Sequence, residues 1–321
     1  SPNDFRLRFK PIFGNDLIIS DSSDETVEFL KWIPLGYEAL WVFYNRKYFL
    51  RPSEMRTWTD FAKEITSIAN KYSNIVPLAL WNGWGVTRAA EVIQALFVAE
   101  GANALVTTSD NQARQVLAMY SEFWRTSGNN AYNKLSTDLY SQKDIDLFTQ
   151  WDVAAMVWYP RDLFTIDKIG YQKSFLFATP FPRFTWNEAS VSVDYNYFVI
   201  NKDTFHRDMA LDMMQFMSTQ QWQEEFISLY PYYLSPELSV EEEMLEKKIH
   251  PNYNIVYKNF VDEDAFLVSY DVGSKDIFDT QLEYILNMES WQEESFSELK
   301  TFTICSTTKH STLLNLSSPC N

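Results

Sequence analysis

The chain has 321 residues, 46% of them apolar and 22% charged, which is the composition of a folded globular protein and the length of one large or two ordinary domains. Acids outnumber bases 43 to 27, for a net charge of −16. No cluster of cations offers the counterion release that a phosphate backbone requires, so nucleic acid is excluded as a partner.

The first thirty residues are polar and weakly patterned around Leu17, Ile18 and Ile19, and read as an edge segment. Residues 40–44, LWVFY, form an aromatic, β-favouring run that predicts a strand buried on both faces in the middle of a sheet. Thr57-Trp-Thr-Asp60 has the spacing of a capped helix start, and Phe61, Ile65, Ile68 and Tyr72 continue one apolar face. Residues 75–81 predict another strand. After it come Asn82-Gly-Trp-Gly85 and a helix with Ala89, Ile93, Leu96 and Phe97 inward, stopped at Gly101.

Ser109 opens a further helix carrying Ala113, Val116, Leu117, Tyr120 and Trp124, and Ser141 with Asp144 caps a shorter one running through Phe148. Strands are expected at 153–159, 175–177 and 191–200. Strands interleaved with helices argue an α/β fold with a largely parallel sheet. Beyond Asn201 the pattern becomes helical, over 204–217, 218–229, 239–249 and 275–300. The Ser/Thr-rich tail 301–321 lacks periodicity and reads as disordered or foreign to the fold.

Chemical signatures are sparse. With only 8 glycines the chain has little material for phosphate-cradling loops, and GxxxxGK[ST], GxGxxG and GxSxG are all missing. Cys305 and Cys320 both fall in the last seventeen residues, and His206, His250 and His310 have no paired spacing. Neither a metal site nor a cofactor is therefore expected. No run approaches the ~18 apolar residues of a membrane span. Catalysis by two carboxylates stays open, because 43 acids permit many pairs.

Aromatic residues make up 17% of the chain, and many sit at strand ends or in turns. Trp81 and Trp84 flank Gly83 after one strand, and Trp158-Tyr159-Pro160 ends another. Tyr195 and Tyr197 alternate in VSVDYNYFVIN. In open α/β sheets ligands collect beyond the carboxyl ends of strands, where flat rings beside polar groups suit a sugar or a peptide. For any single ring, core packing is the competing reading.

Several segments resemble the extracellular solute-binding proteins of ABC importers, in the carbohydrate-binding, maltose-binding-protein-like class. Pro34-Leu-Gly-Tyr-Glu-Ala-Leu-Trp-Val-Phe-Tyr-Asn-Arg-Lys-Tyr-Phe49 looks like the family's crossover strand, and Thr57-Trp-Thr-Asp-Phe61 is similar to its Thr-Trp helix start. Phe148-Thr-Gln-Trp-Asp-Val-Ala-Ala-Met156 resembles its Phe-x-x-Gly-x-x-Ala-Met strand entry, with Trp151 in place of the usual Gly. Residues 191–201 and 210–223 resemble its return strand and helix pair. These matches occur in the family's order from 34 to about 236.

The resemblance implies a two-lobe periplasmic-binding-protein-like α/β fold with a hinge. Residues 1–34 and 183–236 would belong to an incomplete first lobe and 35–182 and 237–300 to the second, with crossings near Leu35, Pro182 and Pro236. It implies a non-enzymatic receptor outside the cytoplasm, periplasmic or lipid-anchored, that holds a sugar or oligosaccharide between its lobes and passes it, as a monomer, to ABC permease subunits. The ligand contacts it implies are Tyr37, Glu38, Trp81, Asn82, Trp84, Trp158, Tyr159, Arg161, Tyr195 and Tyr197. A glycoside-processing enzyme using paired carboxylates is the alternative.

Overall fold

A computed structural model of the chain describes residues 1–20, 24, 28–30, 32–49, 57–80, 86–99, 116, 120, 144–169, 176–182, 190–201, 203–230, 232–247 and 264–267. The expected helices at 109–124 and 275–300 and the tail 301–321 lie wholly or almost wholly outside these residues. Two compact units emerge, one from Ser1–Ala39, Tyr159–Leu163 and Val191–Leu267, the other from Leu40–Trp158 and Phe164–Ser190.

The first unit opens with α1 (Pro2–Arg8) and α2 (Pro11–Leu17), where the sequence predicts an edge segment. Their start signals are local: each has proline near its first position, where no N–H is needed, and Ser1 with Asp4 closes a capping box. A short hairpin follows, β1 (Ile18–Ser20) against β2 (Glu28–Leu30). The unit's main sheet has β7 (Ser190–Phe198) between β3 (Ile33–Ala39) and β8 (Asp264–Leu267).

Strand β3 is antiparallel to β7 with a register shift between Pro34 and Gly36, and its other edge meets Leu234 through Tyr37. At Gly36 the chain passes so near its neighbours that an added Cβ would lie 2.9 Å from Cβ of Tyr233. The unit's remaining helices are α7 (Arg207–Met217), α8 (Gln220–Leu229) and α9 (Leu238–Lys247), close to the helical pattern expected after Asn201.

The second unit is built on β4 (Trp41–Asn45), which lies between β5 (Ala155–Trp158) and β6 (Leu176–Pro180) with all five of its residues buried, as the LWVFY run predicts. Helix α3 (Trp58–Lys71) starts where expected: the Asp60 backbone N–H donates to Thr57 Oγ1 at 3.2 Å, and the Thr57 hydroxyl donates to the Asp60 carboxylate at 2.7 Å. Phe61, Ile65 and Ile68 are buried on one face. Helices α4 (Ala89–Ala99), α5 (Asp144–Thr149) and α6 (Leu163–Ile169) complete its described helices; α6 begins at Leu163, the last residue of the Tyr159–Leu163 segment assigned to the first unit.

The expectation of a largely parallel sheet is overturned among the described strands. β4 runs antiparallel to both neighbours, and β3 runs antiparallel to β7. Parallel pairing appears at two single bridges, Val76 to Val153 and Ala79 to Met156, so 75–80 contributes two bridges in place of the predicted strand. Segments far apart in sequence meet with opposed directions, which strand-helix counting cannot register. The unit boundaries also differ from the expected lobe boundaries. Residues 35–39 stay with β7 through their ladder, and the chain changes unit at Leu40; Leu234 ties the segment leading to α9 to β3.

Trp151 is a second departure from local preference. It follows α5 with φ at 71°, the left-handed region that favours glycine. Its N–H reaches the Phe148 carbonyl at 3.1 Å and the next N–H, of Asp152, reaches Leu147 at 2.8 Å, the paired bonds of a Schellman turn. The carbonyl of Trp151 accepts from the Tyr48 hydroxyl at 2.8 Å, and its ring lies 5.3 Å from the Lys47 ammonium.

Two stability predictions follow from this geometry. Replacing Trp151 by Gly or by Ala removes the ring in both cases, so the difference isolates the backbone. The Gly variant is expected to be the more stable by about 1 kcal/mol in denaturant unfolding. Gly36→Ala is expected to cost about 1–3 kcal/mol, because the added methyl overlaps Tyr233 beside a paired strand.

Candidate functional site

Strand pairing places Glu38 directly opposite Asp194, with Tyr37 opposite Tyr195. Successive side chains alternate across a sheet, so Glu38 and Asp194 share one face while Tyr37, Tyr195 and Tyr197 belong to the other. The two faces have different chemistry.

On the carboxylate face, Arg161 arrives from the turn Pro160–Asp162. Its Nη1 forms an ion pair with Glu38 Oε1, and its backbone N–H donates to Glu38 Oε2 at 3.4 Å. Both terminal nitrogens also approach Asp194 Oδ2, at 3.4 and 3.3 Å. The guanidinium carbon lies 4.8 Å from the centroid of the buried Tyr159 ring. One arginine thus joins two strands and is backed by an aromatic face. The Glu38 side chain is 1% exposed, whereas Arg161 and Asp194 keep 29% and 31% of their side-chain surface in solvent.

Glu38 Oε2 accepts from the Arg161 backbone N–H while Oε1 faces the guanidinium as an ion pair, contacts that suit the ionised form. Burial nonetheless pushes the carboxyl up to about 8, against the downward pull of the guanidinium and with a further upward push from Asp194. The folded protein therefore holds this proton more tightly than the unfolded chain does.

On the opposite face the tyrosines serve packing. Tyr37 is fully buried and donates its hydroxyl to Glu241 at 2.8 Å, and Lys10 reaches the same Glu241 oxygen at 2.8 Å. Phe13 of α2 meets Tyr37 and Tyr195 edge-on at 5.5 and 5.4 Å, and Tyr197 stacks with Trp32 at 4.8 Å. The pleat therefore separates Tyr37, Tyr195 and Tyr197 from Glu38 and Arg161, with which the sequence reading groups them.

Trp158 belongs to the second unit and is 2% exposed. It pairs with Trp41 across the sheet and donates its indole N–H to Asp144 at 2.9 Å, so it offers a ligand no open ring face here. Asp144, expected only as the acid of a helix cap, is a buried hub. It also accepts from the Thr87 hydroxyl at 2.6 Å and the Thr87 N–H at 3.2 Å. Burial raises its carboxyl above the ordinary range, opposed by bonds from Thr87 and Trp158. Trp81, Asn82 and Trp84 lie outside the described residues.

Of the expected contacts, then, the structure joins Glu38, Tyr159 and Arg161 in one cluster and adds Asp194, which the sequence reading passed over. Its signal was present: a charged residue inside VSVDYNYFVIN, out of phase with the two tyrosines. Among the described residues, no group of three or more His, Cys, Asp or Glu side chains could hold a metal ion, and no helix is long and apolar enough to cross a membrane.

No protein-family model and no curated protein matches the sequence. Solved structures do share its fold. A sugar transporter of Rhizobium etli in an open conformation aligns with a TM-score of 0.64 at 14% identity, over 86% of this chain and 72% of that one. The cyclic alpha-maltosyl-1,6-maltose binding protein of Arthrobacter globiformis aligns with a TM-score of 0.64 at 10% identity, over 96% and 82%. Maltose-bound MalE3 of T. maritima gives 0.66 at 12% identity, over 94% and 78%. The chain therefore has the two-lobe α/β fold of these binding proteins.

The buried Glu38 sets a pH dependence. Between the ordinary carboxyl range and about 8 the native state binds more protons at this site than the unfolded chain, so stability falls as pH rises through that interval. Asp144 acts in the same direction. Glu38→Gln is therefore expected to flatten, without abolishing, the decline of Tm measured from pH 5 to pH 8.

Proposed function

We propose that this protein is an extracytoplasmic solute-binding protein that captures a sugar or oligosaccharide and delivers it to the permease subunits of an ABC importer, as a monomer and without turnover. The observation that carries the reading is the fold. It extends over 86–96% of the chain in the three comparisons above, and two of those proteins are named for the maltose-type sugars they bind. The two compact units would then correspond to the two lobes of such proteins.

Site chemistry supports the same class of ligand. A neutral sugar needs acceptors and donors for hydroxyls that leave water, together with flat apolar surface for its ring faces. Asp194 and Arg161 are polar, mutually fixed and partly exposed, which suits the first requirement. Trp81, Asn82 and Trp84 are proposed to supply the rest, the indoles by stacking and the amide by bonding to hydroxyls. Glu38 would act from beneath by holding Arg161. With Glu38 committed to Arg161, a carboxylate pair separated for glycoside hydrolysis is the weaker reading.

The test is isothermal titration of the full chain with malto-oligosaccharides and chito-oligosaccharides, with amino acids and short peptides as controls and chromatography of the sugars afterwards. Saturable binding of at least one oligosaccharide, with the sugar recovered intact, is the expected result. Arg161→Ala and Trp84→Ala should each weaken that binding at least tenfold, equivalent to about 1.4 kcal/mol. Recovery of cleaved sugar, or binding confined to the amino acids and peptides, would overturn the reading.

A further inference from the structure

The partly exposed face of the first unit carries a fixed charge pattern that bears on which solutes it accepts. Arg161 is the cation at its centre, and its side chain is already directed at carboxylates. Nη1 pairs with Glu38, and Nη1 and Nη2 both lie against Asp194 Oδ2. One face of the guanidinium is backed by Tyr159. Asp162, three positions after Tyr159, accepts the Tyr159 N–H at 3.1 Å and adds a third acid whose field reaches Glu38. The carboxyls of Glu38 and Asp194 thus flank one guanidinium, and the Asp162 field reaches Glu38 as well. Among these four described groups the acids outnumber the guanidinium three to one, and still two to one with Glu38 protonated.

From this arrangement we infer that the Glu38–Arg161–Asp194 cluster selects uncharged or cationic sugars, such as neutral or amino-substituted oligosaccharides, and rejects sugars bearing a carboxylate or phosphate. The inference deepens the proposed function and rests on it. An anionic sugar would meet Asp194 with like charge, and recruiting Arg161 would require taking the guanidinium from two carboxylates, one of them buried. A hydroxyl can instead donate to Asp194 while leaving the ion pairs in place. An ammonium group on the sugar gains Coulomb attraction from the same carboxylate.

Asp194 is therefore assigned as the specificity-determining residue. The experiment titrates the full chain with a malto-oligosaccharide and a chito-oligosaccharide, each in three forms: neutral, carrying one 6-carboxylate, and carrying one 6-amino group. In the wild type the carboxylate form should bind at least tenfold more weakly than the neutral form, and the amino form at least as tightly. Asp194→Asn keeps the shape, removes the charge and loosens Arg161, so the gap between neutral and carboxylate forms should narrow several-fold. A merely structural role would weaken all three forms together and leave their ratio unchanged.

Equal binding of neutral and carboxylate forms by the wild type, or an unchanged ratio in Asp194→Asn, overturns the charge selection while the receptor reading stands. Failure of every form of both sugars to bind removes both.

Discussion

A carboxylate buried in the face of a β-sheet is expensive unless a donor comes to meet it, and much of the first unit is organised around Glu38. Its partner arrives from 123 residues further along the chain, and the same guanidinium reaches Asp194 on the neighbouring strand. Because breaking a buried pair leaves an uncompensated charge, this contact fixes the position of the Pro160–Asp162 turn against the β3–β7 ladder. That coupling gives the turn a defined place despite its length of three residues. It also explains why the first unit needs a segment that interrupts the second.

The same solution recurs elsewhere. In the second unit Asp144 gathers Thr87 and Trp158, so the loop before α4, the start of α5 and the end of β5 converge on one acid. On the far face of β3, Glu241 takes the Tyr37 hydroxyl and the Lys10 ammonium, tying α9 to the start of α2. Each buried acid draws donors from segments far apart in sequence, and each draws a titration or packing consequence with it. What the first cluster adds is a pair of opposite charges, Arg161 and Asp194, that both keep about a third of their side-chain surface in solvent.

The geometry of those partners is set by the fold itself. A guanidinium held by two carboxylates and an aromatic ring has little orientational freedom left to lose, so its contribution to binding would carry a small ordering cost. The fold that holds this cluster is shared with the three solved structures at 10–14% identity. At that divergence the likeness concerns the arrangement of strands and helices.

Much of the fold was legible in local sequence. LWVFY was bound to be a buried central strand because five consecutive large apolar residues can be satisfied only by cover on both faces. Thr57 and Asp60 announced a helix start through bonds spanning three residues, and the helical periods after Asn201 reappear as α7 to α9. Trp151 was legible in another way: it stands where a glycine is preferred, and the backbone is left-handed there. Strand direction, the side of the sheet each tyrosine takes, and the meeting of Glu38 with Arg161 and Asp194 were not legible. Local sequence records period and capping, which depend on neighbours a few residues away. Ladder register and ion pairing across more than a hundred residues are settled only when the chain closes on itself, and it was that closure that turned Tyr37, Tyr195 and Trp158 into packing and brought Asp194 to Arg161.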